Sequence, residues 1–81
     1  MFIVVRGKST RMHEVAAYLY NGQSVVSEPQ TGTYGTFVVV DAGTDAYRAN
    51  YLAGRFQSGM FGATVFETLP EAYAYIAAEL A

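Results

Sequence analysis

The chain has no cysteine, a single histidine and few charges, and each shortage removes a class of explanation. Without cysteine, neither disulfides nor thiolate metal sites can supplement the core of an 81-residue chain. A domain of this size buries only roughly 60–65% of its unfolded surface, so oligomerisation is the remaining common supplement. The lone His13 falls early in an expected helix, and no Ser–His–acid set has workable spacing. Catalysis is therefore not expected, and nothing asks for a cofactor. Charged residues make up 15% of the chain, against about 25% in an ordinary soluble domain. So few charges leave apolar or aromatic surface exposed, and such surface often meets a partner. The net charge of −2 and pI near 5.1 offer no general electrostatic grip on nucleic acid. No apolar run approaches the ~20 residues needed to cross a bilayer. No basic segment leads into an apolar core as in a secretory signal. The expectation is a cytoplasmic protein with no membrane contact.

What is present is a repeat. Phe2-Ile-Val-Val5 and Phe37-Val-Val-Val40 are both short apolar runs. Each is followed by a polar break, an amphipathic helical stretch, a Gly-containing turn and a second strand-like run. The first unit runs from Phe2 to about Glu28 and the second from Phe37 to about Glu67. In the first, Phe2–Arg6 reads as a buried strand. Ser9 or Thr10 caps a helix whose stripe is Met12, Val15, Ala16 and Leu19, and Asn21-Gly22 ends it. Gln23–Glu28 reads as a shorter edge strand, and residues 29–35 as a loop.

In the second unit Thr36–Asp41 is the apolar strand and Thr44 the cap. Ala49, Leu52, Ala53 and Phe56 form the helical stripe, Ser58-Gly59 closes the helix, and Phe61–Glu67 is the last strand. Thr68-Leu-Pro-Glu71 is a capping box with proline in the first turn. It opens a final helix with Leu69, Tyr73, Ile76 and Leu80 as its stripe. The sum is one domain over residues 1–81. It is an α+β, ferredoxin-like βαββαβ fold with a four-stranded antiparallel sheet in the order 4-1-3-2, plus a C-terminal helix. The two most apolar strands fall at the centre, so both faces of the sheet are apolar there. The helix-free face needs a cover, either the C-terminal helix or a second copy of the chain.

This topology also sorts the charges. Arg6, Lys8, Arg11 and Arg55, with His13 beside them, gather at one end of the sheet near Tyr34 in its Gly-rich loop. Asp41, Asp45, Glu67 and Glu71 gather at the other.

Several motifs on this frame invite a functional reading. Gly7-Lys8-Ser9-Thr10 sits where a phosphate-binding loop would, but the required earlier glycine is Phe2, inside a strand. What remains is a helix start with Lys8 and Arg11 nearby, suited to an anion. Met1-Phe2-Ile3-Val4 and Gly32-Thr33-Tyr34-Gly35-Thr36-Phe37-Val38-Val39-Val40 resemble the first- and third-strand signatures of the RNA-recognition motif. The resemblance implies single-stranded nucleic-acid binding. It departs at Thr36, an extra residue that puts Tyr34 and Phe37 on opposite faces, at Val40, where the family has an aromatic, and in having no Lys or Arg before the motif. Asp41 and Asp45 flank a helix start, where the dipole favours carboxylates, and hard-cation sites gather more oxygens than two residues supply.

The seven tyrosines are the remaining unusual feature. Tyr47 and Tyr51 lie one turn apart off the apolar stripe of the second helix, and Tyr75 lies off the last one. Exposed tyrosines suit interfaces. The sequence thus reads as a small, self-associating, non-catalytic protein-binding module of a regulatory or inhibitory kind. Its binding residues are Arg6, Lys8, Arg11, Tyr34, Tyr47 and Tyr51. Its partner is another protein or its own copy, with single-stranded nucleic acid as the alternative. Its size would fit a phage-encoded accessory factor.

Overall fold

A computed structural model describes residues 1–7, 24–26, 29–57 and 62–81. The strands are β1 (Phe2–Gly7), β2 (Ser24–Val25), β3 (Gln30–Gly32), β4 (Gly35–Asp41) and β5 (Gly62–Phe66). The helices are α1 (Ala46–Phe56) and α2 (Leu69–Leu80). The expected first helix, with Ser9, Thr10, His13 and its apolar stripe, lies outside the described residues. All strand pairs are antiparallel, and β4 and β1 are the inner strands. β2 and β3 both pair with β4, so they share one edge, and β5 forms the other. The result is an α+β sheet of four strand positions in the expected order.

The shared edge holds a strand at Ser24–Val25, within the expected 23–28, and corrects the expected loop over 29–35, where Gln30–Gly32 is also a strand. Val25 opposes Val40, whereas Gln30, five residues on, opposes Phe37, only three back. The register therefore slips by two residues between the segments, as at a bulge. Pro29, which has no N–H to give to a ladder, lies in that break. β3 then turns through Thr33 and Tyr34 into β4, with Gly32 opposite Gly35. Only glycine fits at 35. Its φ is +130°, and an added Cβ would stand 2.4 Å from the Gly7 carbonyl oxygen.

The strand alternation sends two apolar sets to opposite faces. Ile3, Val5, Val38, Val40, Ala63 and Val65 meet Ala49, Ala53 and Phe56 of α1. Val4, Phe37 and Val39, flanked by Phe2 and Phe66, meet Ala72 and Ile76 of α2. The cover of the second face is therefore the chain's own C-terminal helix. Its last turn reaches the β3 edge, where an added Cβ on Gly32 would meet Leu80 Cδ2. Along α2 the expected stripe is corrected at one position. Ala72 is fully buried while Tyr73 stands at the margin, 38% exposed. The small alanine lets the helix sit close to the sheet.

Both helices are capped. Asp45, not the expected Thr44, caps α1, its Oδ1 accepting from the amides of Tyr47 (3.0 Å) and Arg48 (3.3 Å). A carboxylate is favoured there by both geometry and the dipole. Thr68 caps α2 as expected: its Oγ1 accepts from the Glu71 amide (3.4 Å) and donates to Glu71 Oε1 (2.7 Å). Gln57 ends α1 and ties it to the sheet, its Nε2 donating to the Ala63 carbonyl at 2.7 Å.

Candidate functional site

The outward side of α1 is the largest exposed aromatic feature among the described residues. At 100° per residue, burying Ala49, Ala53 and Phe56 turns Tyr47, Tyr51 and Gly54 directly away from the sheet. Tyr47 is 83% exposed and Tyr51 59%. They stand four residues apart, so their rings are neighbours on the surface. Arg48 and Arg55, both exposed, lie seven residues apart along one flank of this pair, and Asn50 lies on the other. Arg55 also has an interaction within the chain. Between Ala46 and Phe66 the sequence holds these two arginines and no carboxylate. Tyrosine and arginine are the residue types that dominate interface energetics.

The other expected site residues do not join this surface. Arg6 is exposed, but it alternates with Val5 and so faces the α2 side of the sheet. There it borders a shallow groove of about 210 Å³ with Val4, Gln57, Gly62, Thr64 and Tyr75. Its guanidinium lies over Gly62, whose added Cβ would stand 3.8 Å from Nη2. Tyr34, 66% exposed, is at the tip of the β3–β4 turn. Lys8 and Arg11, and with them the anion-binding helix start, lie outside the described residues. Tyr75 is half-buried and stands edge-on to Phe66 with centroids 5.3 Å apart. It belongs to the packing of α2 rather than to an open surface.

Most of the charges expected at the two ends that are described divide between them, with Arg48 beside Asp45 and Glu79 near the β3 edge as exceptions. Asp41 and Asp45 are at the sheet end where Phe2 pairs with Asp41 and Phe66, and Glu67 and Glu71 follow β5 at that end. Arg6 and the last-turn Arg55 are toward the opposite end. The two aspartates have local roles. Asp41 Oδ1 accepts from the Gly43 amide at 2.9 Å, at a glycine with φ +79°, and Asp45 caps α1. Among the described residues no group of three or more His, Asp or Glu side chains could hold a metal ion. No helix among them is long and apolar enough to cross a membrane.

Arg48 is the one basic residue that the sequence pattern leaves away from the basic edge. Its spacing from Arg55, with Tyr51 between them, was the available signal that it belongs to the tyrosine face. No protein-family model, no curated protein and no solved structure matches the chain.

Proposed function

We propose that this chain is a small, non-catalytic protein-binding module on a ferredoxin-like frame, and that the outward face of α1 is its binding surface. The observation that carries the reading is Tyr47 and Tyr51 standing side by side in solvent at 83% and 59% exposure. Two large rings mostly outside the core of so small a chain add little to its packing, whereas buried in an interface they contribute large contact area at low entropic cost. The frame is supported by the split strand pairs. β4 and β5 run parallel with β1 between them, as do β1 and β2 around β4. That is the skeleton of two interleaved strand–helix–strand units.

Self-association was expected from an uncovered sheet face. α2 lies over that face, so among the faces the support that remains is the α1 surface. The nucleic-acid reading needs aromatics open on the sheet. Phe37 is 1% exposed and packed with Ala72 and Ile76 of α2.

The test is quantitative affinity capture from the native cells with the tagged chain, run beside a Tyr47→Ala/Tyr51→Ala variant and a Tyr34→Ala control. Proteins held by the wild type and the control should be lost from the double variant. Equal capture by all three would count against the α1 surface.

A further inference from the structure

We propose that a second copy of this chain adds its own β5 to the outer edge of β5, antiparallel about a twofold axis at Val65, so that two sheets become one. This edge is separate from the tyrosine face of α1.

The two edges of the sheet are built differently. At the β2–β3 edge, Pro29 and the slip in register leave pieces of two and three residues. Short, proline-broken strands resist pairing with another chain. β5 carries none of these devices. It keeps one unbroken register with β1, from Phe2 opposite Phe66 to Arg6 opposite Gly62. Its sequence, Gly62-Ala-Thr-Val-Phe66, has no charge and no proline. Among the described residues no strand pairs with its outer side.

The backbone groups on that side follow from one bond. The Ala42 amide donates to the Met1 carbonyl at 2.9 Å. By alternation Met1, Ile3 and Val5 bond β4, while Phe2, Val4 and Arg6 bond β5. Phe66, Thr64 and Gly62 therefore bond inward, and Ala63 and Val65 turn both N–H and C=O outward. Gln57 Nε2 already donates to the Ala63 carbonyl at 2.7 Å. The N–H and C=O of Val65 have no partner among the described residues. Two Val65 residues facing each other about a twofold axis satisfy both groups on each chain. An axis at Thr64 would instead set the second copy's Val65 amide on the carbonyl that Gln57 holds.

Charge selects a second copy over an unrelated strand. In this register the end of β5 that leads to Glu67 and Glu71 comes beside the second copy's Gly62. Over Gly62 lies the exposed Arg6 guanidinium. It is on the α2 side of the sheet, as Glu71 is. Opposite charges therefore meet at both ends of the joint. α1 brings no repulsion to it. The flank that carries Gln57 to this edge continues in Asn50 and Ala46, which are uncharged, and Arg48 and Arg55 are on the other flank.

The test is sedimentation of the pure chain over a concentration series, with amide hydrogen exchange read by NMR at both ends of the series. The sedimenting mass should double as concentration rises. The Val65 amide should exchange freely in dilute solution and become protected in the dimer. The Thr64 and Phe66 amides, bonded to β1, should stay protected throughout. Arg6→Glu, at an exposed position and with its fold checked by circular dichroism, should weaken the dimer about tenfold or more by setting like charges together.

A chain that stays monomeric at its highest soluble concentration overturns the proposal. So does a dimer that leaves the Val65 amide as open as in dilute solution, or one that Arg6→Glu does not weaken. A dimer lost in Tyr47→Ala/Tyr51→Ala, with Val65 exchange the same at every concentration, would place the joint on α1 instead.

Discussion

The two helices cover one sheet from opposite sides, and they differ in what they turn outward. Both present small or apolar residues to the strands: Ala49, Ala53 and Phe56 from α1, Ala72 and Ile76 from α2. On the solvent side α2 shows Pro70, Glu71, Ala74, Ala77 and Ala78, with Tyr73 at the margin, 38% exposed. At the same depth α1 shows Tyr47, Arg48, Tyr51 and Arg55. α2 therefore indicates what this fold requires of a covering helix, which is an inner stripe, a cap and good helix formers outside. Measured against it, the outward rings of Tyr47 and Tyr51 are what the proposed binding role would account for.

The inner faces should break the protein alike. Ile76→Ala and Phe56→Ala each remove a nearly fully buried side chain, and each should cost about 3 kcal/mol by urea unfolding. A loss under about 1 kcal/mol for Ile76→Ala would mean that the second sheet face does not depend on α2, and the comparison would fail at its base. The caps come next. Asp45→Ala and Thr68→Ala each free amides in the first turn of their helix. Each should cost about 1 kcal/mol, read as a lowered thermal midpoint. A Thr68→Ala variant as stable as the parent would show that the Thr68–Glu71 pair adds nothing to α2.

Strand order and the inner stripes were legible from residues because alternation and helical spacing are local and strong. FIVV and FVVV had to be central, and Ala49, Leu52, Ala53 and Phe56 had to face one way. The two-sided apolar centre also announced that a cover was needed. Which element supplied it was not legible, because Leu69, Ile76 and Leu80 suit a sheet or a partner equally well. The split edge was hidden for a similar reason: Gln30-Thr-Gly32 is polar and short, and only its pairing to Gly35–Phe37 makes it a strand. Thr44 and Asp45 both qualify as caps, and only the observed bonds to Tyr47 and Arg48 select the second. At the site, the tyrosine pair was readable from its spacing. Arg6 and Tyr34, expected at the basic edge, lie apart from that pair: the sheet stands between Arg6 and α1, and Tyr34 is at the tip of the β3–β4 turn.

Gly54→Ala sharpens the comparison further, because it tests whether the outer side of α1 takes part in packing. The last turn gains a better helix former with no clash to meet, so stability should rise, by at most about 0.5–1 kcal/mol. A falling midpoint would point to an inward role for Gly54.

The smallest expected effect is the most discriminating. Tyr47→Ala/Tyr51→Ala should change stability by no more than about 0.5 kcal/mol, because exposed positions carry little of it, while alanine improves helix propensity. With those rings removed, the chain should unfold at the same urea midpoint as before. A clear destabilisation would mean that the rings belong to the core's rim. The difference between the two helices would then be one of packing, and the case for a docking surface would lose its main support.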